Sequence, residues 1–148
     1  MILVIGYGNL LRADDGIGCV AAQWLEQRHG DWQVQISHQL VPEMVTGLAK
    51  ADQVIFIDAR EGGQAGTVIC EPLEPQDGGG AFTHHVSPAG LLSAAQELYG
   101  ATPQGWIISV VGAVFDYCER LSPALSTKLP ALLDEIEGVI HSHILVRE

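Results

Sequence analysis

Three short segments place acids and imidazoles where they could do chemistry. The first, Gly6-Tyr7-Gly8-Asn9-Leu10-Leu11-Arg12-Ala13-Asp14-Asp15-Gly16, joins an apolar run to a helical pattern. Gly6 and Gly8 allow a tight turn with positive φ. Asp14 and Asp15 crowd the start of the helix, where one can cap free N–H groups and leaves the other over. The second is Asp58, directly after Val54-Ile55-Phe56-Ile57, and the third is Thr83-His84-His85-Val86-Ser87-Pro88, ahead of another helical pattern. Adjacent histidines point apart, so at most one of His84 and His85 faces a site shared with the acids. Two carboxylates and an imidazole can hold a borderline divalent ion such as nickel or zinc with coordination positions left open. Each piece alone also has a plainer account: a helix cap, a carboxylate bonded to loop N–H groups, a solvated or core histidine. His29, His141 and His143 lie on or beside helices and receive only the plainer account.

Two other chemistries fit less well. A dinucleotide fingerprint wants a third glycine where Leu11 stands and an acid ending the second strand, which here ends in Ser37-His38. Asp14 and Asp15 would also repel a phosphate at the helix N-terminus. A covalent mechanism needs a nucleophile beside a positioned base. Cys19 falls inside a helix pattern, and the chain has no Gly-x-Ser-x-Gly elbow.

The surrounding elements suit a cleft at a sheet edge. Four apolar runs, Ile2–Ile5, Gln53–Ile57, Thr67–Cys70 and Trp106–Val111, are continuous rather than alternating and predict strands covered on both faces. Trp32–Ser37 alternates and predicts a strand nearer an edge. Ile17, Val20, Ala21, Trp24 and Arg28 form the stripe of a helix that Gly30 ends. Pro42 suits the start of a second helix bearing Met44, Leu48 and Ala49. Ser87-Pro88 starts a third, with Leu91, Leu92, Ala95 and Leu98 on its core face and Gly100 closing it. Ser122-Pro123 starts a last helix running to Ile140, inside which Pro130 predicts a kink or break. Strands alternating with helices argue for a three-layer α/β/α sandwich around a mostly parallel twisted sheet, in which ligands bind beyond the carboxyl ends of the strands. Asp77-Gly78-Gly79-Gly80 reads as a mobile loop.

Composition narrows the partners. The 148 residues predict one domain, and 47% hydrophobic residues suffice for a core without disulfides or a structural metal. Cys19, Cys70 and Cys118 are odd in number with no Cys-x-x-Cys spacing, and read as buried small hydrophobes in a reducing compartment. A net charge of −11, with only 7 Lys and Arg, argues against nucleic acid and an anionic membrane and for a cation or a basic segment. Met1 runs straight into Ile2-Leu3-Val4-Ile5 with no basic leader, and Trp106–Phe115 is too short to span a bilayer, so the expectation is a cytoplasmic protein.

The segments in combination resemble the hydrogenase maturation endopeptidases. The Ile-Gly-Tyr-Gly-Asn-Leu-Leu-Arg-Ala-Asp-Asp-Gly-Ile-Gly start looks like that family's N-terminal motif, followed in order by Asp58-Ala59 and His85-Val86-Ser87-Pro88. The resemblance implies removal of a C-terminal extension from a [NiFe] hydrogenase large-subunit precursor once nickel is inserted. It also implies a metal site that, carried over, falls on Asp15, Asp58 and His85, with His84 as the substitute. Some members place the histidine later, where this chain has Ala89. His38-Gln39-Leu40, followed by Pro42-Glu43, is similar to the substrate-recognition segment of members serving bidirectional, NAD(P)-linked hydrogenases. The same residues would serve a nickel-binding chaperone that docks without cutting.

Overall fold

The computed structural model describes residues 1–76 and 86–145. Five strands, β1 (Ile2–Tyr7), β2 (Gln33–Ser37), β3 (Gln53–Arg60), β4 (Val68–Leu73) and β5 (Gln104–Val111), form one sheet in the order β2-β1-β3-β5-β4. All pairings are parallel except β4 with β5. The helices are α1 (Ile17–Arg28), α2 (Val45–Ala49), α3 (Pro88–Tyr99), α4 (Pro123–Ser126) and α5 (Leu129–Val139), which continues into a wider π-type turn at Ile140–Ile144.

The continuous apolar runs are explained by two cores, one on each face of the sheet. Val4, Ile55, Ile57, Ile108 and Val110 pack with Ile17, Leu25, Leu125, Leu133 and Ile136 of α1, α4 and α5. Leu3, Ile5, Val54 and Phe56 point the other way, onto Met44, Leu48, Leu91 and Leu92 around α2 and α3. Neighbours along a strand therefore fill opposite layers. Full burial of Val54, Ile55, Phe56 and Ile57, worth roughly 1.5–3 kcal/mol per side chain, holds the strand that carries Asp58 and continues past it to Arg60.

Prolines set two boundaries as expected. Pro130 divides the last apolar pattern: α4 stops at Ser126, and α5 begins with Pro130 in its first turn. Ser87 caps α3 by accepting from Gly90 N at 3.0 Å. The fourth strand differs from expectation. It lies at the sheet's outer edge, antiparallel to β5, and none of Val68, Ile69 and Cys70 is fully buried, so it is not covered on both faces. The connection from Arg60 to Val68 is too short for a crossover, which needs a dozen or more residues, so the chain can only turn back. The cysteines are free, and Cys118 is exposed rather than buried. No helix among the described residues is long and apolar enough to cross a membrane. Asp77–Gly80, read above as a loop, lies outside the described residues.

Candidate functional site

The strand order places a crevice between β1 and β3. From β1 the chain passes through α1 to β2 on one side, then returns to β3 on the other. The connections leave the carboxyl ends of β1 and β3 in opposite directions, which is the switch point where open α/β sheets bind ligands. A cleft of about 600 Å³ opens there, lined among others by Tyr7, Asp15, His38, Gln39, Asp58 and Val86.

Asp58 forms the floor. It faces Ser109 across the β3–β5 register, and the Ser109 hydroxyl donates to its Oδ1 at 2.9 Å. The Tyr7 hydroxyl, from the end of β1, donates to Oδ2 at 2.7 Å. Each carboxylate oxygen is thus gripped by one hydroxyl and keeps lone pairs for the cleft. Burial pushes the Asp58 carboxyl above its usual range and the Asp15 charge adds to this, against the lowering effect of Tyr7, Ser109 and Arg60. Burial and the Asp58 charge likewise push the Tyr7 phenol far up, so it remains a donor.

The paired acids on the other wall have separate duties. Asp15 is half-buried, faces the cleft, and accepts from Asn9 N through Oδ2 at 2.8 Å. Asp14 is fully buried and points away, accepting from Ala113 N, Val114 N, Ser122 N and the Ser122 hydroxyl at 2.7–3.1 Å. Burial alone would raise its pKa, but the four donors together hold it below the usual carboxylate value. Neither acid caps a helix through its side chain, which overturns that expectation. Asp14 instead ties the first loop to the segment after β5.

Backbone geometry seats these acids. Gly8 has φ +146°, and a Cβ there would lie 2.0 Å from the Asp15 carbonyl oxygen. Gly6, expected to supply a turn, serves close packing instead: its Cβ would meet Gly18 O at 2.3 Å, and one on Gly18 would meet Ile57 O at 2.2 Å. α1 consequently lies directly on β1 and β3, with Asp15 above the strand ends. Ala13, just ahead of the pair, is held at φ 49°, a left-handed conformation that costs roughly 1–2 kcal/mol for a residue with a Cβ.

His38 and Gln39 are exposed on the rim, whereas Leu40 is 7% exposed and packs into the α2–α3 core although its edge reaches the cleft. His84 and His85 lie outside the described residues; Val86, the next residue in the chain, lines the cleft. Cys19 is buried, and burial pushes its thiol up, away from a reactive thiolate. Among the described residues lining the cleft there is no serine or cysteine.

The sequence matches no protein-family model and no curated protein. The architecture has solved counterparts. The hydrogenase maturating endopeptidase HybD from E. coli superposes with a TM-score of 0.71 at 24% identity, over 95% of this chain and 91% of that one. The [NiFe] hydrogenase maturation protease HycI from Thermococcus kodakarensis KOD1 gives 0.72 at 23%, over 95% and 92%. An endopeptidase from Escherichia coli gives 0.65 at 25%, over 96% and 93%. The fold is that of the hydrogenase maturation endopeptidases. Within the maturation-endopeptidase fold of this chain, sequence reasoning had singled out both cleft acids but missed Tyr7 and Ser109. Both carried a signal: each is a hydroxyl at or near the carboxyl end of an apolar strand, on a neighbour of the strand that carries Asp58.

Proposed function

We propose that the chain is a cytoplasmic endopeptidase that removes the C-terminal extension of a nickel-loaded [NiFe] hydrogenase large-subunit precursor. The observation that carries this reading is Asp15 and Asp58 meeting in one cleft at the switch point of a maturation-endopeptidase fold. Their oxygens are a suitable donor set for a borderline dication, and the imidazole of His85, or of His84 in its place, completes it. The nickel arrives as part of the substrate and polarises the scissile carbonyl.

The chain's own groups do the rest. Asp58, clamped by Tyr7 and Ser109 and made more basic by burial, is suited to take the proton of the attacking water and return it to the leaving amine. Asp15, fixed by Asn9 N, orients the precursor from the opposite wall. His38 and Gln39, which are exposed, read the precursor surface in this proposal, and the precursor is that of a bidirectional, NAD(P)-linked hydrogenase.

The test is incubation of nickel-loaded precursor with the parent and with Asp58→Asn, read by product mass. The parent shortens the precursor and the folded variant does not. Stable binding of the precursor by the parent without any shortening would make the chain a chaperone instead. Cleavage by Asp58→Asn at the parent rate would remove Asp58 from the mechanism.

A further inference from the structure

A second set of ligand atoms lies at the opposite end of the molecule. α1 starts above the carboxyl ends of the strands and runs back, so His29, which follows it, reaches the other edge of the sheet. There His29 Nε2 lies 2.7 Å from Glu137 Oε2 of α5. The ligand atoms of His29, Glu137 and His141 all fall within 4.8 Å of one another. Glu137 and His141 are four residues apart, on neighbouring turns of the same face. Trp32 stacks on the His29 ring at 3.8 Å and 7°. Arg28 donates through Nε and Nη2 to the two Glu137 oxygens at 3.0 and 3.1 Å, and this contact above all keeps the carboxyl ionised. An ion pair explains Arg28 and His29. It gives the second imidazole no ionic part, although the His141 ring packs beside those of His29 and Trp32, with centroids 5.7 and 6.5 Å away.

We propose that His29, Glu137 and His141 bind a divalent ion of the zinc class, at a site separate from the cleft. Two imidazoles and a carboxylate are a zinc donor set with a fourth position left open. The ion takes the place of the hydrogen bond between His29 Nε2 and Glu137 Oε2. Metal–ligand bonds of about 2.0–2.1 Å put tetrahedral ligands roughly 3.3 Å apart. The widest present gap therefore closes by no more than about 1.5 Å, within reach of rotation by the exposed His141. Arg28 and Trp32 act as the outer support that fixes ligand orientation, while the Arg28 charge beside Glu137 weakens binding of a cation. The bound ion would clip the end of α1 to the end of α5, and so raise the stability of the face they cover.

The experiment is calorimetric titration of zinc into the full-length parent, His141→Ala, Glu137→Gln and Asp58→Asn at neutral pH, with melting curves alongside. The expected result is one equivalent bound by the parent and by Asp58→Asn. His141→Ala, which removes an exposed side chain and leaves the Arg28–Glu137 pair intact, should bind at least tenfold more weakly, as should Glu137→Gln. Saturating zinc should raise the parent melting temperature by roughly 5–10 °C and leave that of His141→Ala unchanged. Equal binding by parent and His141→Ala, loss of binding only in Asp58→Asn, or no binding by the parent would each overturn the proposal.

Discussion

Replacing Asp14 by Asn should unfold the protein far more readily than replacing its neighbour Asp15, although the two acids are adjacent and identical. Asp14 Oδ2 accepts from Ala113 N, Val114 N and the Ser122 hydroxyl, while Oδ1 accepts from Ser122 N. An asparagine that keeps its oxygen on the first three must turn its NH2 group toward the Ser122 N–H. That loses one charge-assisted bond, about 1.5–3 kcal/mol, and strands a buried donor, about 1–3 kcal/mol. The three remaining bonds weaken as the charge goes. The expected cost is about 4 kcal/mol, or roughly 10 °C of melting temperature at this chain length. Urea unfolding should show a lower midpoint with an unchanged slope. Asp15→Asn retains an oxygen for Asn9 N and should stay within about 1 kcal/mol of the parent while processing stops. pH gives an independent check. The Asp14 carboxyl is held below its ordinary value of 3.8 in the fold, so its stabilisation is complete above that value and fades as pH falls through the lowered one. The parent-minus-variant difference should shrink over that acid range. A loss under about 1 kcal/mol for Asp14→Asn, or a difference that does not change with acid, would refute the reasoning.

Other expectations concern the cleft. Tyr7→Phe removes one of the two hydroxyls holding Asp58 and should lower the processing rate about 10–100-fold; an unchanged single-turnover rate would show that Ser109 alone suffices. Exchanging His38 and Gln39, but not the core residue Leu40, should change which precursor is bound more than how fast a bound one is cut, as competition between bidirectional and uptake-type precursors would reveal. Nickel should bind the cleft only weakly until the precursor adds its thiolates. Titrating nickel into His141→Ala, which keeps the distal ligand set out of the measurement, should show no micromolar site, and precursor without nickel should stay uncut.

The sequence was most informative where structure is local. The apolar runs located the three central strands because burial on both faces leaves no alternation to obscure them, and Ser87, Pro88 and Pro130 marked helix starts through their own backbone chemistry. Asp58 was legible because an acid directly after a buried apolar run falls near the strand's carboxyl end, although the strand itself continues to Arg60. Long-range facts were hidden. The partners of Asp14 lie 99–108 residues away, so its spacing within the motif could not separate its role from that of Asp15. Leu40 looked like part of a recognition segment, yet its burial depends on α2 and α3 packing beneath it. His29 and His141 were assigned singly because their proximity arises only from the packing of α1 against α5.

The Asp14 staple also has a consequence for how the protein is made. The residues that present Asp15 are among the first synthesised, but the donors that satisfy Asp14 extend to Ser122, 108 residues later. At about 5–20 residues per second, roughly 5–20 s of translation separate the two. During that interval a carboxylate destined for full burial has no partners, and desolvating it alone would be costly. The first loop therefore cannot settle before Ser122 is available. Asp15 thus takes its place above the strand ends only once the segment after β5 has been made.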